Sequence, residues 1–348
     1  MTEDRLLQAQ RHERLLGRVR DHGAIRVREL ARDLGVSELT IRRDIAALAA
    51  RNLVTRVHGG ATLPAQPRPA LRPRQAWTIG MVVPSLDFYW PPIVAGARAA
   101  AAALGVTIQL RGSRYDPAED RRQIGRLVDE QQVQGVLLAP CLSPAPAEAD
   151  RMIDWIGGLP VPAVLVERQP RRWSPAARRI EWVRSDHGLG LEMAVRHLGD
   201  QGHRRIGLVL SAGSPTSAYL ARGWADLGLP DDLVFAGPDP AVAACGRGGP
   251  TALIVHSDPD AIAIARALAG AGLDVPGDLA LVSYDDEIAH LAEPALTAVR
   301  PPKNHVGRIA VELMVSRLLS GDRRPVQGVL VAPELMIRES SLGRVVRL

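Results

Sequence analysis

The spacing of apolar residues changes twice along the chain and divides it into three parts. In residues 11–50, apolar side chains recur every three or four positions, which predicts short amphipathic helices. Residues 61–76 contain four prolines and three arginines without an apolar period, as is typical of a semi-extended linker. From residue 77 onward, short apolar runs alternate with amphipathic stretches. This predicts an α/β fold with parallel, doubly wound sheets.

The first part predicts three helices. The apolar positions of the first two are Leu15, Leu16, Val19, Val27, Leu30, Ala31 and Leu34. Gly35 supplies a tight turn, and Ser37 is a suitable N-cap for the third helix. The residues of the third helix that we expect in the core are Leu39, Ile41, Ile45 and Leu48. Its other face then presents polar and basic side chains. A DNA recognition helix requires these two faces, an apolar one that packs on the core and a polar one that contacts DNA.

A predicted hairpin follows these helices. The segment LVTRVHGGA, residues 53–61, alternates apolar and polar positions and ends in a Gly pair. Helices, tight turn and basic hairpin follow one another in the order of a winged helix-turn-helix. The candidate DNA contacts are Ser37, Glu38, Thr40, Arg42, Arg43, Arg56 and His58. A solvated helix face is the alternative explanation for the two helix arginines.

Charge is distributed unevenly along the chain. Residues 1–76 hold 15 Arg against 8 acidic residues, whereas the remainder holds 28 basic against 30 acidic residues. Because DNA binding gains free energy from the release of counterions, this arrangement favours a DNA-binding function for the N-terminal part. Almost all basic residues are Arg, and Lys303 is the one Lys, so the abundance of Arg alone is weak support for nucleic acid.

The N-terminal segment resembles the DeoR-type winged helix-turn-helix. The resemblance is carried by TIRRDI at residues 40–45 and RVHGGA at residues 56–61, together with VRELA at residues 27–31. It implies a DNA-binding domain at residues 1–60, followed by the linker at 61–76.

The loops after the predicted strands carry the candidate chemistry of the third part. Three of the chain's 12 aromatic residues follow the first strand consecutively, as Phe88, Tyr89 and Trp90. Later strands run into Glu167-Arg168, Ser257-Asp258 and Asp285-Asp286. Ligands of such folds bind beyond the carboxyl ends of the strands. Aromatic faces beside carboxylates and an Arg suit a polyhydroxylated ligand. Core packing remains an alternative for the aromatic residues, and helix capping for Asp258.

Residues 78–340 resemble the effector-binding domain of the LacI/GalR family, which is related to periplasmic sugar-binding proteins. The motifs include IGMVVPSL, VPAVLVER, VRSDHGLG and HLGDQGHRRIGLV, in the order of the family. The resemblance implies two α/β lobes with a ligand cleft between them. We expect a domain at 77–340, with lobe 1 at about 77–183 and 301–324 and lobe 2 at about 184–300 and 325–340. The crossovers should lie near 183–185, 299–301 and 324–328.

The resemblance also implies a set of ligand contacts. Glu167 stands where the family usually has Asp, Ser257 stands where Asn is common, and Arg222 is one position away from the expected Arg. The full set of candidates is Phe88, Tyr89, Trp90, Glu167, Arg168, Arg222, Ser257, Asp258 and Asp285. The substitutions at Glu167 and Ser257 indicate a ligand different from that of the commonest relatives.

The combined prediction is a transcriptional regulator, of the repressor kind, controlled by a small-molecule effector. A sugar is favoured, and a nucleoside, a purine or another small polar metabolite is the alternative. We expect a homodimer or homotetramer on double-stranded operator DNA. The N-terminus has no apolar signal-peptide core and the chain has no membrane-length apolar run, so we expect a cytoplasmic protein with no membrane partner.

Two other functions are disfavoured. A secreted sugar-binding receptor does not explain the N-terminal DNA-binding pattern. An enzyme is disfavoured because the chain has no Gly-rich phosphate loop, no metal-ligand cluster and no catalytic triad with supporting context. Accordingly we expect no cofactor and no metal, and we interpret His187 and His203 as structural.

Overall fold

The computed structural model describes residues 11–12, 14–15, 18, 24–50, 54–57, 59–62, 77–87, 89–142, 145–172, 174–246 and 248–343. Its contacts divide the chain into two compact units, residues 1–71 and 72–348. Most of the predicted linker, residues 63–76, lies outside the described residues. None of the described helices is both long and apolar enough to cross a membrane.

The first unit has the element order of a winged helix-turn-helix, as predicted. Its elements are β1 (Ala24–Arg26), α1 (Val27–Asp33), α2 (Glu38–Ala50), β2 (Thr55–Val57) and β3 (Gly60–Thr62). Strand β3 pairs antiparallel with both β1 and β2, so the hairpin forms a three-stranded sheet. Among the predicted residues of the first helix, Leu15 is fully buried, and Leu16 and Val19 lie outside the described residues.

The turn between α1 and α2 forms as the sequence predicts. Gly35 adopts a left-handed φ of +63°, which a residue without a Cβ tolerates readily. Ser37 Oγ accepts a hydrogen bond from the Thr40 amide at 3.1 Å, so it caps the start of α2. Ile41, Ile45 and Leu48 are buried in the core.

The prediction for Leu39 is wrong, because this side chain is 58% exposed. The physical reason is helix geometry. At about 100° per residue, a position two residues before Ile41 points roughly 200° away from it, on the opposite face of the helix.

Asp44 fastens α2 to the start of the chain. Its side chain is 3% exposed and lies 2.9 Å from Arg11 Nε and 3.0 Å from His12 Nε2. Residues 11 and 12 are helical, so this carboxylate joins the first predicted helix to the middle of α2. The sequence pattern places Asp44 beside the core face but does not identify these partners.

The second unit contains two parallel-sheet lobes. Its strands are β4 (Thr78–Val83), β5 (Thr107–Gly112), β6 (Gly135–Leu138), β7 (Ala163–Val166), β8 (Glu181–Ser185), β9 (Ile206–Leu210), β10 (Val234–Ala236), β11 (Ala252–Val255), β12 (Ala280–Tyr284), β13 (Thr297–Arg300), β14 (Gly328–Val331) and β15 (Glu334–Met336). Its helices are α3 (Trp90–Leu104), α4 (Pro117–Gly125), α5 (Pro146–Gly157), α6 (His187–Asp200), α7 (Pro215–Asp226), α8 (Pro238–Ala244), α9 (Asp258–Gly270) and α10 (Lys303–Ser320).

Each lobe is built on one six-stranded sheet. Lobe 1 has the order β14-β8-β7-β6-β4-β5 with parallel pairings. Lobe 2 has the order β10-β9-β11-β12-β13-β15, in which β15 alone runs antiparallel to its neighbour. The central strands are buried along their whole length, as expected for sheets covered by helices on both faces.

The chain passes between the sheets after β8, after β13 and after β14. The expected third crossover at 324–328 is wrong, because β14 still pairs in parallel with β8 in lobe 1. The chain reaches lobe 2 only between Val331 and Glu334, where β15 joins β13. Residues 325–331 therefore belong to lobe 1, and the chain does not pass between the lobes at Pro325.

Helix α10 returns the chain to lobe 1 after the second crossover. It packs against α3 so closely that a Cβ on Gly96 would lie 1.9 Å from the Asn304 carbonyl oxygen. A Cβ on Gly307 would lie 1.9 Å from the Ile93 carbonyl oxygen. Glycine at both positions therefore permits the backbone contact between the two helices.

Glu181 connects the end of α10 to the sheet of lobe 1. Its side chain is 1% exposed and forms ion pairs with Arg317 at 3.2 Å and Arg324 at 2.8 Å. It also accepts a hydrogen bond from the Gln327 amide at 3.1 Å. One buried carboxylate thus holds the helix end and the loop that leads into β14.

We expect Glu181→Ala to lower the free energy of unfolding of the second unit by about 3–5 kcal/mol, because it leaves two largely buried guanidinium groups without their carboxylate. All six Trp residues lie in this unit, so urea unfolding followed by Trp fluorescence reports on it alone. Glu192→Ala is the control, since its pair with Arg196 is an exposed helix pair worth about 0.5 kcal/mol or less. Equal effects of the two substitutions would contradict this role.

Candidate functional site

The outward face of α2 presents the candidate DNA contacts. Ser37 and Thr40 lie at its start, and their hydroxyl oxygens are 2.9 Å apart. Glu38 lies between two arginines, 3.4 Å from Arg28 Nε and 3.1 Å from Arg42 Nη2. This carboxylate therefore aligns Arg42 with α1 and faces guanidinium groups of its own chain.

Arg43 is exposed on the same face. Among the described residues, no carboxylate forms an ion pair with it, so its guanidinium is the more available of the two. Arg56 lies in β2 of the hairpin, and His58 lies outside the described residues. The structure thus groups the helix candidates on one surface and leaves the His58 prediction without a described position.

The second candidate site lies where the carboxyl ends of strands from both lobes meet. Three residues at these ends have left-handed backbones although they are not glycine. They are Glu167 with φ +55°, Asp285 with φ +100° and Asp286 with φ +51°. Such conformations cost free energy and concentrate at functional sites. Glu167 and Asp285, which the sequence predicts as ligand contacts, therefore also have a strained backbone.

Tyr89 and Trp90 line the lobe 1 side. Their rings meet edge to face at 5.7 Å, and the Lys303 ammonium lies 4.9 Å from the Tyr89 ring centroid. The Tyr89 hydroxyl is buried without a well-formed hydrogen bond to a described residue. Burial, and then the charges of Glu167 and Asp285, raise the pKa of Tyr89 well above its usual value. The hydroxyl is therefore protonated, and it lies near Ser185 and Glu167 without a hydrogen bond of good geometry to either.

Trp90 is 2% exposed, and its indole Nε1 donates to the Tyr115 hydroxyl at 3.2 Å. The Arg168 guanidinium lies 5.8 Å from the Trp90 ring centroid. Arg168 donates to the carbonyl oxygens of Pro140 at 3.1 Å and of Glu167 at 2.8 Å. Since carbonyl oxygens carry no full charge, the positive charge of Arg168 remains available to a ligand.

Glu167 is a buried carboxylate with donors arranged around it. It accepts hydrogen bonds from the Ser185 amide at 3.0 Å and the Ser185 hydroxyl at 2.7 Å, and His187 Nε2 lies at 3.7 Å. Burial acts to raise the pKa of Glu167, but His187 and the two Ser185 donors together lower it below its usual value. Glu167 is thus ionised and joins lobe 1 to the first helix of lobe 2.

Asp285 is the acidic residue of lobe 2 that faces the site. One of its carboxylate oxygens is buried without a partner among the described residues, and the other lies 3.6 Å from His256 Nδ1. Its carbonyl oxygen accepts from Lys303 Nζ at 2.6 Å. Burial lowers the pKa of His256, so this imidazole favours the neutral form.

The structure gives Asp258 a positioning role. Its side chain, 1% exposed as a residue, accepts from the Ser283 hydroxyl and from three backbone amides, at 2.6 Å from Glu287, 2.9 Å from Ile288 and 3.2 Å from Ala289. Its lone pairs are therefore used in ordering the loop after β12. Ser257, its neighbour, is half-buried at the start of α9.

Two further predicted ligand contacts remain, Arg222 and Phe88. Arg222 is exposed on α7, and Phe88 lies outside the described residues. His256 was not among the predicted contacts, and the rings of His256 and His187 both lie at the junction of the lobes. The burial of His187 agrees with its interpretation as a structural residue. His187 Nδ1 lies 3.2 Å from the Tyr284 hydroxyl, and its ring stacks 5.6 Å from that of Tyr219. Their positions directly after a crossover and at a strand end were the available signals.

We expect the stability difference between the wild type and Glu167→Gln to depend on pH. Since the folded pKa of Glu167 is lowered, its stabilising contribution is present above its ordinary value of 4.5 and is lost as the pH falls through the folded pKa. The wild type should therefore gain stability relative to the variant as the pH rises through the folded pKa and past 4.5. Urea unfolding followed by Trp fluorescence measures this, with the exposed Glu192→Gln as control. A pH-independent difference would contradict an ionised Glu167.

Comparisons with known proteins find matches in both units of the chain. Residues 11–66 match the model of the DeoR-like helix-turn-helix domain, and residues 195–341 match that of the periplasmic binding protein-like domain. The chain is 30% identical over 337 residues to an uncharacterized HTH-type transcriptional regulator in the aml 5′ region of Streptomyces limosus, covering 91% of this chain and 94% of that protein. It is 27% identical to the ribose operon repressor of Escherichia coli K12, covering 78% and 84% of the two chains.

A solved LacI family transcriptional regulator from Mycobacterium smegmatis superposes with a TM-score of 0.61 at 26% identity, covering 77% of this chain and all of that one. These relatives are transcriptional regulators, in agreement with the expectation that the chain is not an enzyme. The chain therefore belongs to the LacI family of transcriptional regulators, and it carries a DeoR-like helix-turn-helix domain at its N-terminus.

Proposed function

We propose that the protein is a repressor whose binding to operator DNA is controlled by a sugar held between lobes 1 and 2. The observation that carries the sugar assignment is a set of buried polar atoms without described partners, contributed by both lobes. They are the Tyr89 hydroxyl, one carboxylate oxygen of Asp285 and Nδ1 of His256. An unsatisfied buried polar atom costs about 1–3 kcal/mol, so a ligand that supplies hydroxyl groups would be stabilised there.

The rings beside these atoms support the same assignment. The Tyr89 ring lies next to the unpartnered hydrogen-bonding groups, and Arg168 offers a planar donor next to Trp90. Aromatic surfaces cover the C–H faces of a sugar, while carboxylate and guanidinium groups bind its hydroxyls in pairs. The E. coli relative at 27% identity is a ribose operon repressor, which makes D-ribose the first compound to test.

Control of DNA binding would follow from the position of the ligand between the lobes. Glu167 of lobe 1 and His187 of lobe 2 are 3.7 Å apart, and Lys303 touches both Tyr89 and Asp285. A sugar bonded to both lobes would favour the arrangement in which these groups are close. By linkage, the arrangement that binds the sugar better would then bind operator DNA with a different affinity.

The proposed DNA-binding form is a homodimer, or a tetramer built from dimers. A two-fold symmetric pair of chains places two α2 helices on successive half-sites of a palindromic operator. The cytoplasm is the compartment in which such a protein meets its DNA. Sedimentation with and without operator DNA measures the number of chains bound.

We expect Arg168→Ala to abolish the sugar-dependent change in DNA affinity while basal DNA binding stays within about twofold. The loss of a charged hydrogen-bond donor should weaken sugar binding about 10- to 100-fold. The DNA is a duplex selected by the wild-type chain from a random library. The assays are fluorescence anisotropy with D-ribose, other sugars and adenosine, and calorimetry of the same compounds.

Arg168→Lys should give an intermediate response, because Lys keeps the charge but loses the planar fork. Arg196→Ala, on the exposed face of α6, should respond like the wild type. Trp fluorescence unfolding establishes that the Arg168 variants are folded. A folded Arg168→Ala with a full sugar response would refute the proposed site. A response to adenosine alone would replace the sugar with a purine nucleoside.

We expect Arg43→Ala to weaken operator binding about tenfold or more, with or without sugar, since it removes an exposed cation from the outward face of α2. If Arg43 contacts a phosphate, the slope of the logarithm of the binding constant against the logarithm of the salt concentration should decrease in magnitude by about one. If it contacts a base, preference at one operator position should relax instead. Arg196→Ala is again the control. Unchanged affinity in Arg43→Ala would argue against α2 as the recognition helix.

A further inference from the structure

One apolar side chain on the outward face of α2 is unexplained by packing or by charge. Leu39 is 58% exposed, and it is the one large hydrophobic residue found exposed among the described residues of the first unit. Solvating a Leu on an otherwise well-packed helix gains nothing for stability. Single exposed leucines are common on protein surfaces, so the informative feature of Leu39 is its position on the outward face of α2.

Leu39 lies close to the middle of the proposed DNA-binding face. The buried face of α2 carries Ile41, Ile45 and Leu48. At about 100° per residue, the direction opposite these three falls between Leu39 and Arg43, with Ala46 alongside. The methyl side chain of Ala46 leaves room for close approach on this line, so Leu39 and Arg43 are the side chains that would extend furthest toward a bound partner.

The surroundings of Leu39 identify the chemistry of that partner. Three exposed arginines surround Leu39, Arg26 at the end of β1, Arg28 in α1 and Arg42 in α2, with side chains 82%, 86% and 63% exposed. They form ion pairs with only two carboxylates, Glu29 and Glu38, so the surface keeps a net positive charge. A cationic rim of this kind is complementary to the phosphates of a DNA duplex. If α2 lies in a groove, an apolar residue in the middle of such a rim faces base edges instead of phosphates.

The major groove offers one prominent apolar group, the C5 methyl of thymine. Recognition helices contact base edges with their N-terminal residues, and Leu39 is the second residue of α2. We propose that Leu39 packs against a thymine methyl in each half of the operator and is a specificity-determining residue. This inference rests on the proposed role of α2 in DNA binding and adds the base that it selects.

The test removes only the methyl group from the DNA. The full-length wild type first selects an operator from a random duplex library, and each thymine is then replaced by uracil in symmetric pairs. We expect uracil at one symmetric position to weaken binding about 3- to 10-fold per half-site, which corresponds to burial of one methyl group or slightly more. Fluorescence anisotropy at fixed salt measures the affinities.

Leu39→Ala should weaken binding to the thymine operator by a similar factor and should bind the thymine and uracil duplexes equally. A selection repeated with Leu39→Ala should lose the thymine preference at that position alone. Leu227→Ala, an exposed leucine after α7 of the second unit, is the matched control and should keep the full thymine preference.

The outcomes separate this inference from the function on which it rests. If the wild type selects no sequence, the proposed role of α2 in DNA recognition fails. If it selects an operator but no thymine is sensitive, or if Leu39→Ala remains as sensitive to uracil as the wild type, the Leu39 contact is refuted while DNA binding stands. If Leu39→Ala changes the number of chains in sedimentation but not the thymine preference, Leu39 contacts a second copy of the chain, and the inference is equally overturned.

Discussion

The ionised carboxylate of Glu167 at the junction of the lobes is the interaction on which the cleft depends. A charge buried to this degree is tolerated only when donors surround it, and Ser185 supplies two of them at 2.7 and 3.0 Å. Those donors lie at the end of β8, just before the chain enters lobe 2. Holding Glu167 in place also holds its strained backbone, which presents the carbonyl oxygen that receives Arg168. Glu167 therefore belongs both to the first crossover and to the candidate ligand site.

Carboxylates organise the rest of the molecule in a similar way. Glu181 fastens α10 to lobe 1, and Asp258 orders the loop that carries Asp285. Asp286, whose side chain is fully buried, lies between Arg300 and Arg338 next to the second and third crossovers. Each of these residues is satisfied within the chain. By contrast, one buried carboxylate oxygen of Asp285 has no hydrogen-bond partner among the described residues, and a bound ligand would supply one.

The sequence predicted the positions of the site better than the roles of its residues. Tyr89, Trp90, Glu167, Arg168 and Asp285 could be found because parallel strands end at one edge, so residues far apart in sequence meet there. Asp258 follows the same rule, but its side chain turns inward to three amides. His187, which the sequence indicates to be structural, packs against Tyr284 and Tyr219, which are 97 and 32 positions away along the chain. No local pattern encodes which distant side chain an imidazole will meet.

The sequence by itself determined the winged helix-turn-helix, the α/β alternation and the edge at which a ligand would bind. Each of these follows from periodicity, turn residues and strand direction, which are local properties of the chain. Only the tertiary structure decided that β14 remains in lobe 1 and that His187 and Ser185 keep Glu167 ionised. It also decided that the carboxylate of Asp44 joins α2 to Arg11 and His12, and that Leu39 lies away from the core. These outcomes depend on which groups become neighbours after folding, and burial and pairing between distant residues then set their energies.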